Sequence, residues 1–347
     1  MKRFVIFLAF FSLIAVLFVS CNTTKSDKPN IGITIYKFDD NFMSIVRNRI
    51  DSFAKDMGED RLIYSIQDGQ GDQSKQNDLI DQFLTKGATA LALNMVEPAS
   101  ASVVISKAQL KNVPIVFFNR EPDVSEMATY ANAYYVGAKA RQSGTFEGEI
   151  VAEYWTTHPD ADKNKDGKLQ YVMILGDPAN TDAKYRTEYS IKAVEEAGIE
   201  VEKLAEDTAM WQTGEAQNKM QAWLSKFGDK IEVVFANNDA MAIGAINALK
   251  AAGYFTGGKY MPVVGVDAIP EALDALDNGI LLGTVLNDAD KQGEATFDLA
   301  YTLAQGKPAH TDVAPLADAQ GNVDPKGKYI WVPYVKVTKD NYTEFMK

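Results

Sequence analysis

KIEVVFANNDAMAIGAINALK, residues 230–250, encodes a strand, a polar elbow and a helix in that order. Ile231 to Ala236 is a nearly continuous apolar run, which predicts a short buried strand. Ala240 to Lys250 combines strong helix formers with apolar residues at helical spacing. Ligands of parallel α/β sheets bind beyond the carboxyl ends of the strands, so Asn238 is a candidate ligand-binding residue. Glu232 lies at the opposite end of the strand, roughly 20 Å away at about 3.3 Å per residue.

The same alternation of strand and helix extends along the chain in both directions. The apolar patterns predict strands and helices in the order 30–36 (strand), 41–57 (helix), 61–66 (strand), 72–86 (helix), 89–95 (strand), 98–111 (helix) and 113–118 (strand). A helix around 143–155 follows, and strands at 170–175, 261–266 and 281–286 continue the rhythm. The rhythm predicts an α/β fold of two doubly wound parallel-sheet lobes with a cleft between them.

Length and charge narrow the classes of function. The chain has 347 residues, which favours two domains, and 46% apolar with 24% charged residues is a globular composition. The formal net charge of −12 argues against a nucleic-acid partner, because phosphate backbones need clustered Lys and Arg.

Residues 1–21 have the pattern of a processing segment. Lys2 and Arg3 precede an apolar run from Phe4 to Val19, which is short for a transmembrane helix and typical of a signal peptide. Cys21, the only cysteine, follows the run and resembles the lipid-accepting cysteine of a bacterial lipobox. We therefore expect an exported lipoprotein in the periplasm or at the cell surface, anchored to a membrane through Cys21, with residues 22–29 as a tether. The alternative is a signal peptide that ends near an incidental cysteine.

Polar side chains recur where the predicted strands end, and most of them are Asn or Asp. The set comprises Tyr36, Asp40, Asn119, Asp182, Asn238, Asp267 and Asn287. Any one of them could simply cap a helix. As a set, their donors and acceptors suit a ligand rich in hydroxyl groups. Phe42 and Trp211 add flat apolar faces that pack well on a sugar ring, although spacing alone favours core packing for both.

DKNKDGKLQ, residues 162–170, follows the spacing of an EF-hand calcium loop. Asp162, Asn164, Asp166 and Gln170 would supply side-chain oxygens, and Lys168 a backbone carbonyl. Position 12 of the loop is Met173 rather than Glu, so a carboxylate must come from elsewhere in the sequence. Glu232, an isolated acid in an apolar strand, is the candidate, because a divalent cation would offset the cost of burying it. The alternative is a solvated acidic loop.

Long motifs along the chain resemble the periplasmic galactose/glucose-binding proteins, which are type I substrate-binding proteins of ABC transporters. The resemblance runs from about Asn30 to the C-terminus and rests on IGITIYKFDDNFMS, DQSKQND, VPIVFFNREP, DTAMW, IEVVFANNDAMA, GVDAIPEAL, GTVLNDA and VPYVKV. It implies that D-galactose or D-glucose is held by Tyr36, Asp40, Phe42, Asn119, Asp182, Arg186, Trp211, Asn238, Asp267 and Asn287. Asn180 in NTDA stands where the family usually has His in HPDA, and it is counted with the sugar contacts.

The same resemblance implies the type I periplasmic binding protein fold and its calcium set of Asp162, Asn164, Asp166, Lys168, Gln170 and Glu232. The N-terminal lobe would comprise residues 30–137 and 288–330, and the C-terminal lobe 138–287 and 331–347. The two lobes would be joined by three hinge crossings near Gly137, Asn287 and Trp331 and would close around the ligand. The implied partners are an ABC transporter permease and, as a further candidate, a chemoreceptor, with the protein itself a monomer.

Three alternatives remain. Two differ from this interpretation in the class of protein, and one differs in the ligand. A sugar-responsive transcription regulator shares the fold but requires an N-terminal DNA-binding segment, where this chain has an apolar signal sequence. An exported sugar-modifying enzyme requires an acid/base pair, for which Asp40, Asp182 and Asp267 are the candidates. A binding protein for another monosaccharide, such as ribose, remains open. Turnover assays and titration against a panel of sugars distinguish the enzyme from the binding proteins.

Overall fold

A computed structural model of the chain describes residues 28–58, 60–309 and 328–346. The predicted signal peptide, Cys21 and residues 22–27 of the tether lie outside the described residues. Residues 310–327 of the predicted N-terminal lobe lie outside them as well.

The strands are short, with those in the centre of each sheet largely buried. They are β1 (Asn30–Ile35), β2 (Ile63–Asp68), β3 (Ala90–Leu93), β4 (Ile115–Phe118), β5 (Ala133–Gly137), β6 (Lys168–Leu175), β7 (Glu200–Thr208), β8 (Val233–Ala236), β9 (Val263–Val264), β10 (Thr284–Leu286), β11 (Tyr329–Trp331) and β12 (Val335–Val337).

Helices alternate with the strands. They are α1 (Asn41–Met57), α2 (Gln73–Thr85), α3 (Ala101–Lys111), α4 (Val124–Met127), α5 (Ala140–Thr157), α6 (Thr181–Glu196), α7 (Thr213–Phe227), α8 (Asp239–Ala251), α9 (Pro270–Asp277) and α10 (Ala289–Ala304). Short 3-10 turns occupy Pro98–Ser100, Pro159–Ala161, Gly228–Lys230 and Tyr342–Glu344.

The first lobe contains a six-stranded sheet in the order β11-β5-β4-β3-β1-β2, and every described pair in it is parallel. Its strands read as apolar runs because both faces are covered. On one face, β1 packs with α1 and α10 through residues such as Ile33, Val46 and Phe297. On the other face, Leu91 and Phe117 pack with α2 and α3.

The second lobe contains a four-stranded parallel sheet in the order β7-β6-β8-β9. Val233 and Phe235 of β8 face α5 and α6, whereas Val234 faces α7, α8 and α9, because successive side chains of a strand point to opposite faces. β10 joins the sheet edge through bridges from Gly283 and Leu286 and pairs with β12 in the antiparallel sense. The predicted α/β fold with helices on both faces of parallel sheets is confirmed.

The chain passes between the two sheets three times. The first passage follows β5, which ends at Gly137, and the second leads from β10 into α10. The third connects β11 to β12, and Trp331 pairs with Gly137 and so still belongs to the first sheet. Residues that follow strands of both sheets, such as Asn119 and Asn238, line one cavity, so the carboxyl ends of both sheets face a common cleft.

The start of β8 differs from the prediction in a way that concerns the proposed metal site. Glu232 precedes β8 instead of lying within it, because the ladder with β6 begins at Val233. Its backbone N–H still bonds to the carbonyl of Gln170, so Glu232 is held beside the start of β6. In the described part of the chain, no helix is long and apolar enough to cross a membrane.

Glycines allow α5 and α6 to pack unusually close. A Cβ atom at Gly148 would lie 2.1 Å from the carbonyl oxygen of Ser190, and one at Gly144 would lie 2.8 Å from the carbonyl oxygen of Tyr185. Arg186 follows Tyr185 in α6, and its carbonyl oxygen would lie 2.9 Å from the same Cβ at Gly144, so this contact also sets where the guanidinium lies.

We expect Gly148→Ala to lower the free energy of unfolding by about 1–3 kcal/mol, because the new methyl group overlaps backbone that cannot move independently. Gly214→Ala in α7 is the matched control, since a Cβ there meets nothing within 4 Å. The control should be neutral or stabilising by up to about 1 kcal/mol. Urea unfolding of both variants measures the difference, and equal stability of the two would contradict the close packing of α5 and α6.

Candidate ligand-binding site

A small cavity lies between the two lobes, where the carboxyl ends of the two sheets meet. All eleven residues predicted to contact the sugar line it: Tyr36, Asp40, Phe42, Asn119, Asn180, Asp182, Arg186, Trp211, Asn238, Asp267 and Asn287. The structure thus brings together residues that are up to 251 positions apart in the sequence (36 to 287). That these residues hold a sugar remains a prediction.

Three of the lining side chains are also N-caps of helices. Asp40 caps α1 by accepting from the backbone N–H of Met43 at 2.7 Å, and Asn238 caps α8 by accepting from Met241 at 3.0 Å. Asn180 caps α6 through the N–H of Asp182 at 2.8 Å. Capping and ligand binding are therefore compatible, because a cap uses one oxygen and leaves the amide nitrogen or the second carboxylate oxygen.

Left-handed backbone conformations are concentrated around the cavity. Asn119 has φ 61°, Trp211 has φ 65° and Asp267 has φ 127°, all values that L-residues adopt rarely. The ring of Trp211 lies directly against Gly176, where a Cβ would come within 2.1 Å of the indole. Such conformations persist only where the surroundings hold them, and they are typical of binding sites.

Arg186 is the main charged group of the cavity. Its Nη1 donates to the carbonyl oxygen of Asn237 at 2.8 Å, and its Nη2 donates to the hydroxyl of Tyr334 at 3.1 Å. The same guanidinium lies 3.5 Å from Asp182 and 3.9 Å from Asp267. Its planar fork thus connects α6, the end of β8 and the segment that leads into β12.

Burial dominates the electrostatics of the acidic residues around this guanidinium. Burial raises the pKa of Asp182, while Arg186 acts in the opposite direction. Burial raises the pKa of Asp267 well above its ordinary value, again against the effect of Arg186. Behind the cavity, burial raises the pKa of Asp239 to about 6 and that of Glu147 well above its usual range. One cation therefore serves several buried carboxyl groups.

The two aromatic residues both line the cavity and belong to the core. Phe42 is 5% exposed and packs with the first lobe, and Trp211 is 8% exposed and packs with the second. Nε1 of Trp211 and Nε of Arg186 are buried donors with no acceptor among the described residues. Buried donors normally have partners, so these two are available to a ligand in the cavity.

Sequence reasoning missed two residues of the lining, Met43 and Arg120. Arg120 lies over the ring of Tyr36 at 3.7 Å and donates to the carbonyl oxygen of Val96 at 2.8 Å. It also reaches Asp177 of the second lobe at 3.4 Å. The available signal was its place directly after Asn119 at a strand end. Met43 lies one helical turn after Asp40, which was the available signal for that residue.

The cavity offers both hydrogen-bond donors and hydrogen-bond acceptors to the hydroxyl groups of a ligand. Carboxyl oxygens of Asp40, Asp182 and Asp267 can accept, while Asn amides and Arg186 can donate. Asp40 already accepts from Met43 and from the hydroxyl of Tyr36 at 2.6 Å, yet each of its oxygens keeps a lone pair. A small polyhydroxylated molecule with one apolar face therefore fits the cavity chemically.

The predicted calcium loop is held in a compact turn by its own oxygens. Asp162 accepts from the backbone N–H groups of Lys165 at 2.7 Å and Gly167 at 2.9 Å. Gly167 has φ 78°, which explains glycine at this position. Asn164 and Asp166 each accept from the backbone N–H two residues further on, both at 2.9 Å.

Glu232 closes this loop from outside it. Its Oε1 accepts from the backbone N–H of Lys163 at 2.7 Å, and its Oε2 accepts from that of Gln170 at 2.9 Å. Burial raises the pKa of Glu232, although these two bonds oppose the rise. The amide Oε1 of Gln170 is buried without a donor among the described residues. An oxygen-rich set with an unpaired acceptor fits Ca²⁺, a hard cation that prefers oxygen ligands.

The acidic side chains of the loop do not by themselves define a metal site. Nowhere in residues 28–58, 60–309 and 328–346 do three or more His, Cys, Asp or Glu side chains form a group that could hold a metal ion. The predicted set has carboxylates only at Asp162, Asp166 and Glu232, and amide and carbonyl oxygens make up the remainder. Calcium at this loop stays a prediction.

The known proteins that this chain resembles are described as binding proteins. A family model described as a periplasmic binding protein domain matches residues 31–308. The D-galactose/methyl-galactoside binding periplasmic protein of Haemophilus influenzae is 43% identical over 96% of each chain. A putative rhizopine-binding protein of Rhizobium meliloti is 32% identical over 99% of each chain. An ABC transporter solute binding protein of Bacillus halodurans, solved with myo-inositol bound, has a TM-score of 0.77 at 27% identity and covers 93% of this chain and 99% of its own.

Proposed function

This chain belongs to the periplasmic binding protein family, and we propose that it captures D-galactose or D-glucose between its lobes and delivers the sugar to an ABC transporter permease. In more general terms, the chain is a sugar-binding periplasmic component of an ABC transporter and not an enzyme. The choice of hexose rests on the resemblance in sequence motifs and on the relative that is named for D-galactose and methyl-galactoside.

The observation that carries the proposal is the composition of the interlobe cavity. It combines two buried aromatic rings, Phe42 and Trp211, with carboxylate acceptors and amide and guanidinium donors from both lobes. An apolar ring face packs on aromatic carbon, and each hydroxyl of a sugar needs a donor and an acceptor. A ligand held by groups from both lobes favours the closed arrangement of the lobes, which is the state that a permease would recognise.

Asp40 is proposed to let the site accept both epimers. Galactose and glucose differ in the direction of the hydroxyl at carbon 4, and the family resemblance assigns Asp40 to that hydroxyl. A carboxylate offers about four lone-pair sites, so it accepts from either orientation. Asn180, which replaces the usual His of the family, already uses its oxygen to cap α6, so its amide nitrogen remains for the ligand.

Isothermal titration tests the sugar site. We expect both D-glucose and D-galactose to bind, and Asp40→Ala to weaken both by roughly 10- to 150-fold, because a charge-assisted hydrogen bond is lost. Asp40→Ala also removes the cap of α1. Asp72→Ala is therefore the matched control, since Asp72 caps α2 at an exposed site outside the cavity. Binding of one epimer only, or a loss confined to one epimer, would refute dual recognition by Asp40.

We also propose a structural calcium ion held by Asp162, Asn164, Asp166, Gln170, Glu232 and the carbonyl of Lys168. The support is the loop spacing, the position of Glu232 across both ends of the loop and the unpaired Oε1 of Gln170. When bound, the ion would add stability to the second lobe, by about 2.7 kcal/mol at a free concentration 100 times its dissociation constant.

Chelation tests the calcium proposal. We expect a chelator to lower the melting temperature, and Asp162→Ala combined with Glu232→Ala to abolish that effect. Asp160→Ala is the control, because this acid lies in the preceding turn and is not among the proposed ligands. Sugar affinity should survive chelation, since the loop lies at the opposite end of β8 from Asn238. An unchanged melting temperature after chelation of protein that verifiably contained calcium would exclude a stabilising metal.

The membrane anchor is a separate part of the proposal and concerns residues outside the described ones. We expect mass spectrometry of the native N-terminus to find Cys21 as the first residue, carrying several acyl groups, because a single chain binds membranes only marginally. Cys21→Ser should release the protein into the soluble fraction. An unmodified N-terminus at another residue would exclude the anchor. Monomeric action and a chemoreceptor as a second partner rest on the family resemblance alone.

A further inference from the structure

Gln292 lies on α10, behind the cavity, and is only 1% exposed. It is not among the residues that line the cavity. Its Nε2 donates a short hydrogen bond to Oδ1 of Asn287, which does line the cavity. Asn287 in turn donates through Nδ2 to Oδ1 of Asp267 at 3.2 Å. A directional chain of hydrogen bonds therefore runs from a helix of the first lobe to a carboxylate of the second.

The direction of this chain matters because an asparagine amide has two ends of almost equal shape. Rotating the side chain by half a turn exchanges a donor for an acceptor with little steric change. Asn287 is only 2% exposed, so its Oδ1 needs a hydrogen-bond donor inside the protein. Gln292 supplies that donor, and the NH₂ group is then directed towards Asp267.

The amide orientation has a consequence for Asp267. Because Asn287 donates to Oδ1, this oxygen is held as an acceptor, and a proton on the carboxyl group would be carried by Oδ2. Within the described part of the chain, Oδ2 of Asp267 accepts no hydrogen bond, so it is the oxygen left for a ligand. The backbone also ties the two residues together, since the N–H of Asn287 bonds to the carbonyl oxygen of Asp267 at 3.3 Å.

We propose that Gln292 is a positioning residue for sugar recognition, which holds the amide of Asn287 in one orientation and so sets the donors and acceptors that Asn287 and Asp267 present. This inference rests on the sugar-binding function proposed above. Gln292 acts through Asn287 and does not touch the sugar itself. Its effect should therefore disappear when the amide of Asn287 is absent.

A double-mutant cycle on the full chain measures this dependence. Isothermal titration with D-galactose and D-glucose would compare wild type, Gln292→Met, Asn287→Ala and the double variant. Gln292→Met keeps the length of the side chain but removes the donor, and we expect it to weaken binding by roughly tenfold. In the Asn287→Ala background the same substitution should cause no further loss, because no amide remains to be oriented.

Gln305→Met is the matched control, because Gln305 is an exposed glutamine at the end of the same helix. It should leave sugar affinity unchanged. A purely structural effect of Gln292→Met would appear as a lower melting temperature and as additive losses in the cycle, and either sugar would then show the same loss with and without Asn287.

Gln292→Glu provides a second readout through pH. At pH 7.5 an ionised carboxylate cannot donate, so Asn287 would have to turn its NH₂ group away from Asp267. As the pH falls towards 5, a protonated carboxyl regains one O–H donor. The affinity ratio of wild type to Gln292→Glu should therefore decrease towards 1 as the pH is lowered.

Measuring the sugar affinity of the wild type at each pH corrects for the other titratable and charged groups near α10. Those on α10 and the adjoining crossing, on α1 and across the cavity are Asp288, Asp290, Lys291, Glu294, Asp298, Tyr301, Arg49, Asp40, Arg186 and Asp267. β1, β3, β4 and β5, which also pack against α10, carry no charged side chain.

The outcomes separate this inference from the function on which it rests. If wild type binds neither sugar, the proposed function fails. If wild type binds and Gln292→Met binds equally well, or if the losses are additive with Asn287→Ala, the positioning role is excluded and the function stands. If Gln292→Met does not fold, Gln292→Glu decides: a ratio to wild type that stays constant with pH overturns the inference, and one that falls with pH supports it.

Discussion

On the side of the second lobe, the cavity depends on one buried guanidinium, that of Arg186. Arg186 is 3% exposed and faces Asp182 and Asp267 in a region where burial raises the pKa of both carboxyl groups. Its Nη1 and Nη2 also donate to a carbonyl at the end of β8 and to the hydroxyl of Tyr334, near the third crossing between the lobes. A buried charge without partners is very costly, so each of these contacts constrains the others. The second lobe is thus organised around a charge that lines the cavity.

Several side chains of the site have two roles. Asp40 and Asn238 begin helices α1 and α8 with one oxygen and offer the rest of their polar atoms to the cavity. A helix N-terminus at the carboxyl end of a parallel strand places such a cap at the cleft. The capping function therefore does not compete with ligand binding but positions the residue for it. Asn287 follows the same logic with another partner, since Gln292 satisfies its oxygen and leaves its amide nitrogen directed at Asp267.

Much of this arrangement was predictable from local patterns. The strand–elbow–helix of residues 230–250 predicts β8, α8 and the role of Asn238 as a strand-end residue, because apolar periodicity and capping chemistry are local. The helix predicted at 41–57 has the same bounds as α1. Glu232 was predicted inside the strand, yet it lies just before it, because only pairing with β6 defines where the ladder begins. Arg120 was missed, because its contacts with Val96 and Asp177 join segments that no local pattern connects.

The sequence by itself determined the order of strands and helices, the polar residues at the strand ends and, through its long motifs, the family. Only the tertiary structure decided which of those residues meet, how Arg186 distributes its charge and which way the amide of Asn287 points. The reason is physical. Helix and strand patterns arise from neighbours a few residues apart, whereas desolvation, buried ion pairs and amide orientation depend on atoms that approach only after the chain has passed three times between the lobes.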